Sequence, residues 1–102
     1  MKQVFNSIPI RSRKEILNYL KIKSILDKNV ICFLDNKNRL FSYKVINNIL
    51  PIKQKIFLSA VKIGSDNILL YLNSKNNKTI ILKEIEKLGE LLHINIVDVI
   101  FA

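Results

Sequence analysis

Residues 30–40 read Val30-Ile31-Cys32-Phe33-Leu34-Asp35-Asn36-Lys37-Asn38-Arg39-Leu40, and this stretch decides the fold class. Five consecutive apolar residues that include β-branched side chains predict a short strand covered on both faces. The polar run Asp35 to Asn38 is turn chemistry, because Asp and Asn side chains bond neighbouring amides and tolerate a left-handed backbone. A second strand, about Leu40 to Asn47, is then expected to run back beside the first. Its Phe41, Tyr43 and Val45 fall on one side, with Ser42 and Lys44 on a half-exposed other side. The Asp35, Asn36 and Asn38 trio also has a faint likeness to a Ca²⁺ loop. No spaced acidic ligands or closing Glu follow it, so a hairpin turn is the better account.

Upstream, Ser12-Arg13-Lys14-Glu15 announces a helix: Ser12 can accept from a first-turn amide while Glu15 reaches back in a capping box. Ile16, Leu17, Leu20 and Ile22 supply its apolar side, and Lys14, Lys21 and Lys28 recur every seven residues on another. Downstream, Pro51 suits the first turn of a second helix, with Ile52, Ile56, Ala60 and Ile63 as its stripe and Gly64 as its stop. Asn67 to Asn73 reads as another doubly covered strand, and Ser74 to Asn77 as a polar loop. A helix over 78–92 should bury Ile81, Ile85, Leu88 and Leu92. Gly89 inside it costs about 1 kcal/mol relative to Ala unless close packing on a sheet requires it. Ile94 to Phe101 is the last strand. The expected order is α-β-β-α-β-α-β, an α/β fold with a mixed central sheet flanked by helices, in a single domain over residues 1–102.

Composition narrows the chemistry. One cysteine, Cys32, excludes an intramolecular disulfide, and its apolar neighbours predict a buried, inert thiol. No stretch has signal-peptide or membrane-spanning character, so a cytoplasmic protein with no membrane partner is expected. The net charge is +9, and residues 1–50 contribute +7 of it. Such lopsidedness fits a polyanion-facing side built from Arg11, Arg13, Lys14, Lys21 and Lys28, with Lys53, Lys55 and Lys62 as possible additions. Base composition is a second source of the charge, since Ile, Lys and Asn together make up 44 of 102 residues and their codons are rich in A and T.

A catalytic metal or nucleophile has little to build on. Zinc needs three or four N, S or O ligands, and the chain offers one His and one Cys far apart in sequence. His93, after Leu91-Leu92, reads as an exposed helix C-terminal residue favoured by the dipole and not as a base. No Gly-rich phosphate loop is present, and Ser59 and Ser65 have no histidine nearby in sequence. No cofactor is expected. Phe41 and Tyr43, on the half-exposed strand, are the candidates for base stacking.

Phe33-Leu34-Asp35-Asn36-Lys37-Asn38-Arg39-Leu40, Pro51, Ile56-Phe57 with Ala60, and Leu69-Leu70-Tyr71-Leu72-Asn73-Ser74 occur in an order similar to the C-terminal domain of bacterial RadC proteins. Gly89-Glu90-Leu91-Leu92-His93-Ile94 and Val97-Asp98 complete the likeness, over about residues 12–101. RadC domains belong to the JAB/MPN group of zinc metallopeptidase-like (JAMM) folds and carry a DNA-repair label. The resemblance implies that the family's acid/base Glu falls at about Asp27, its two zinc-binding His at Leu72 and Ser74, and its Asp ligand near Lys78. Val99 stands where RadC proteins commonly have a further His, and the family's Pro-Ser-Gly loop is missing. Without those ligands the Lewis acid that activates water is lost. The resemblance therefore implies a catalytically inactive, metal-free domain: a scaffold or protein-binding module, self-associating or with an unknown protein partner, or a remnant of a RadC protein. A basic nucleic-acid-binding domain and a residual metal-dependent hydrolase are the alternatives.

Overall fold

Asn29–Leu34 is the middle strand of the computed structural model, which describes residues 2–10, 12–46, 67–73 and 78–102. Along the chain the elements are β1 (Lys2–Pro9), α1 (Arg13–Ile22), β2 (Asn29–Leu34), β3 (Arg39–Ile46), β4 (Asn67–Leu72), α2 (Lys78–Leu92) and β5 (Asn95–Phe101). They form a small α/β domain with one mixed sheet in the order β1-β3-β2-β4-β5. Only β4 and β5 run parallel; the other neighbours are antiparallel. The helix expected from Pro51, with its Gly64 stop, and the loop Ser74 to Asn77 lie outside the described residues.

The unbroken apolar runs behave as their composition dictates. In β2 every residue after Asn29 is buried, and in β4 every residue after Asn67. Side chains alternate between two layers, as strand geometry requires. Val30, Cys32, Leu34, Leu69 and Tyr71 pack with Ile16 and Leu20 of α1. Ile31, Phe33, Ile68, Leu70 and Leu72 pack with Ile81 and Ile85 of α2. The helices therefore cover opposite faces of the sheet, and β2 and β4 have no solvent face.

The turn after β2 is built by Asp35. Its Oδ1 accepts from the backbone N–H of Lys37 and of Arg39, both at 2.9 Å, and its Oδ2 receives Arg39 Nε at 2.8 Å. Asn38 takes the left-handed conformation at φ 56°. Those amide and guanidinium contacts, led by the Arg39 N–H, hold the Asp35 carboxyl below the usual carboxylate range.

Three sequence expectations need correction. First, a strand precedes α1: β1 pairs with β3, Lys2 opposite Tyr43 and Ile8 opposite Leu40. Its sequence, KQVFNSIP, carries no period-two pattern, so the observed order is not the expected α-first one. Second, β3 is an inner strand and not a half-exposed one, with Ser42 only 1% exposed. The register against β2 shifts between Phe33 and Leu34, leaving Phe41 as an extra residue. This bulge places Phe41 on the α2 side while Leu40, Tyr43 and Val45 pack on the α1 side. Third, Ile22 is 74% exposed at the end of α1 instead of lying on its buried side.

A second bulge, at Val97 between the Ile68–Ile96 and Leu69–Asp98 pairs, reverses the facing of the rest of β5. Ile96, Val99 and Phe101 reach the α2 layer, Ile100 the α1 layer, and Asp98 the N-terminus of α1. Gly89 of α2 meets this strand: a Cβ there would lie 3.0 Å from Ile94 O and 3.2 Å from Ile96 Cγ1. Close packing on the sheet thus accounts for a glycine inside a helix.

Candidate functional site

The end of the sheet where β2 starts and β4 stops gathers the residues that matter for the RadC-like reading. Three hydrogen bonds tie the loop from α1 and the start of β2 to the end of β4 and the residue after it. Tyr71 Oη donates to Leu26 O at 2.6 Å, Asn73 Nδ2 donates to Asp27 O at 2.8 Å, and Asn73 N donates to Asn29 Oδ1 at 2.8 Å. Burial, and secondarily the Asp27 charge, push the Tyr71 hydroxyl up, so it stays a donor well into the alkaline range.

Asp27 and the Leu72-Asn73 corner are therefore neighbours. The chemistry at the corner is structural. The Asp27 side chain is 73% exposed, with Lys28 Nζ at 4.0 Å from its carboxylate. Leu72 is wholly buried in the α2 layer and opposes Phe101 of β5. Its carbonyl receives Ala102 N at 2.9 Å. Ser74 and the side chain of Lys78 lie outside the described residues, and Lys78 opens α2. Val99 packs half-buried against the same layer as Leu72. Among the described residues, no three His, Cys, Asp or Glu side chains come together in a group able to hold a metal ion.

Cys32 and His93 are apart from this corner. Cys32 is wholly buried in β2, and burial pushes its thiol up to about 12, so it carries no thiolate at neutral pH. His93 is exposed and ends α2 in the left-handed conformation, φ 56°.

The basic candidates separate into unlike groups. Arg13 is held by a bidentate ion pair, with Nε 2.7 Å from Asp98 Oδ2 and Nη2 2.8 Å from Asp98 Oδ1. That pair takes the Nε–Nη2 edge of the guanidinium and offsets its charge, while the exposed Nη1 edge keeps its donors. Lys14, Lys21 and Lys28 are exposed, and Arg11 lies outside the described residues, as do Lys53, Lys55 and Lys62. Tyr43 cannot stack on a base: it is 8% exposed, with Tyr19 edge-on at 6.0 Å between ring centres. Phe41 is half-buried against the α2 layer.

Sequence reasoning missed Tyr71, Asn29 and Asp98 as organising residues. Their partners are 85, 45 and 44 positions distant for Asp98, Tyr71 and Asn29 respectively, and no local pattern marks such pairings. Compared with known proteins, the chain matches no family model and no curated sequence. Among the described residues no helix is long and apolar enough to cross a membrane.

Proposed function

We propose that this chain is a metal-free, RadC-like JAB/MPN domain whose role is to bind another protein and not to hydrolyse one. The observation that carries the reading is the state of the Leu72 position. A histidine ligand would have to meet a metal and a substrate there. Leu72 instead has no donor atom, no exposure, and a place in the apolar layer beneath α2. Its neighbour Asn73 is spent on closing the Asp27 loop against the strand, with both its backbone and side-chain nitrogens engaged. An acid/base carboxylate needs a bound water and a cation to work on, and Asp27 stands in solvent beside Lys28.

Metal analysis of the dialysed full chain is the test. Zinc well below one atom per chain is expected. Stoichiometric zinc surviving dialysis would overturn the reading and restore a hydrolase.

A further inference from the structure

A groove of about 530 Å³ runs beside α1, lined by Lys14, Leu17, Asn18 and Lys21 of the helix with Leu26 and Tyr71. We infer that this groove receives an acidic segment of a partner protein, one that places a large apolar side chain between two carboxylates. The inference rests on the protein-binding reading above and names the partner's chemistry.

The floor is apolar and preformed. Leu17 and Leu26 are half-buried against the α1 layer, and the Tyr71 hydroxyl bonded to Leu26 O fixes the loop that forms one wall. The two cations stand seven residues apart on α1, which sets them about 10 Å apart along the helix axis. Among the described residues neither Lys14 nor Lys21 forms an ion pair and no acidic side chain lines the groove. Asn18 lies between them and offers both a donor and an acceptor. Carboxylates at i and i+7 of a helix lie on one face about 10 Å apart and match that spacing.

Other occupants fit less well. Nucleic acid would set an apolar floor against phosphate and sugar. Tyr71, the one aromatic ring among the described lining residues, is 3% exposed and cannot stack on a base. A second copy of the chain would bring the same lysines to the same place on a protein of net charge +9.

Random-peptide display on the intact chain, followed by fluorescence anisotropy of the enriched peptides, tests this. Enrichment of Asp or Glu flanking Leu, Phe or Met is expected. Affinity should fall about tenfold in Lys14→Glu/Lys21→Glu and in Asn18→Trp, which fills the groove from an exposed position. Charge reversal at exposed Lys37 or Lys87 should leave affinity unchanged. No enrichment, enrichment without acids, or binding indifferent to the groove variants would overturn the inference. Displacement of the peptide by a duplex oligonucleotide would overturn it in favour of nucleic acid. Zinc content tests the metal-free reading separately, so a failed groove in a zinc-free chain rejects the partner assignment and leaves the loss of the metal site standing.

Discussion

The two faces of the sheet are closed by helices that end alike and pack differently. Both helices stop in the same device. Ile25 N donates to Leu20 O after α1, and Ile94 N donates to Gly89 O after α2, each at 3.0 Å. The left-handed residue is Ser24 in one and His93 in the other, neither of them glycine. The following isoleucine then packs into the core on its own side. Beyond that, the α2 layer gathers Phe33, Ile68, Leu70, Leu72, Ile81 and Ile85 in one apolar cluster. The α1 layer has polar ties as well, at Tyr71 to Leu26 and at Arg13 to Asp98. The difference teaches what kind of surface each side offers: a directional bond fixes the Leu26 wall of the α1 groove, while a cavity of about 460 Å³ on the α2 side has Leu82, Ile85, Ile96, Val99 and Phe101 among its lining.

The largest break in that comparison is expected on the dry side. Phe33→Ala leaves a cavity between β2 and α2 and should cost about 4 kcal/mol in urea unfolding, since Phe33 is wholly buried. A loss below about 1 kcal/mol would mean that α2 does not seal this face.

An effect of similar ceiling, confined to alkaline pH, is expected on the α1 side. The Cys32 thiol is held at about 12 in the fold against 9.0 for the free group, so the folded state keeps a proton that the unfolded chain loses. A raised folded value gives stability that is complete below pH 9 and falls as pH rises toward about 12, by up to about 4 kcal/mol. Cys32→Val should flatten that slope in denaturation curves taken across the same window. An unchanged slope would place the ionising group elsewhere.

The smallest effect sharpens the likeness of the two ends. Ser24→Gly and His93→Gly should each stabilise by about 1 kcal/mol, because glycine removes the left-handed penalty at both caps. A gain at one site only would show that the two terminations differ in strain.

Several parts of this molecule were legible in the chain. The runs Val30 to Leu34 and Ile68 to Leu72 read correctly as doubly covered strands, because burial on both faces demands continuous apolar sequence. Asp35 and Asn38 read correctly as a turn, since their side chains act on adjacent amides. Strand β1 was not legible: it is held by backbone pairing to β3, and that leaves no trace in its side-chain pattern. The facing of Phe41 was misjudged for a related reason. One inserted residue reverses the alternation, and a bulge has no signature in residue type. At the candidate site, the adjacency of Asp27 to the Leu72-Asn73 corner follows from the antiparallel pairing of β2 with β4. The positional resemblance gave no sign of the burial of Leu72 or the double use of Asn73.

The sequence by itself determined the α/β class, the two buried strands, the turn after the first of them, the buried thiol and the scarcity of metal ligands. All of these depend on residue type or near-neighbour spacing, where side-chain chemistry acts directly. The tertiary structure alone decided that Arg13 is committed to Asp98, that Ser42 is buried, and that Lys14 and Lys21 flank an apolar groove. Those facts arise from contacts between segments far apart in the chain, which bulges and strand order bring together and no local pattern encodes.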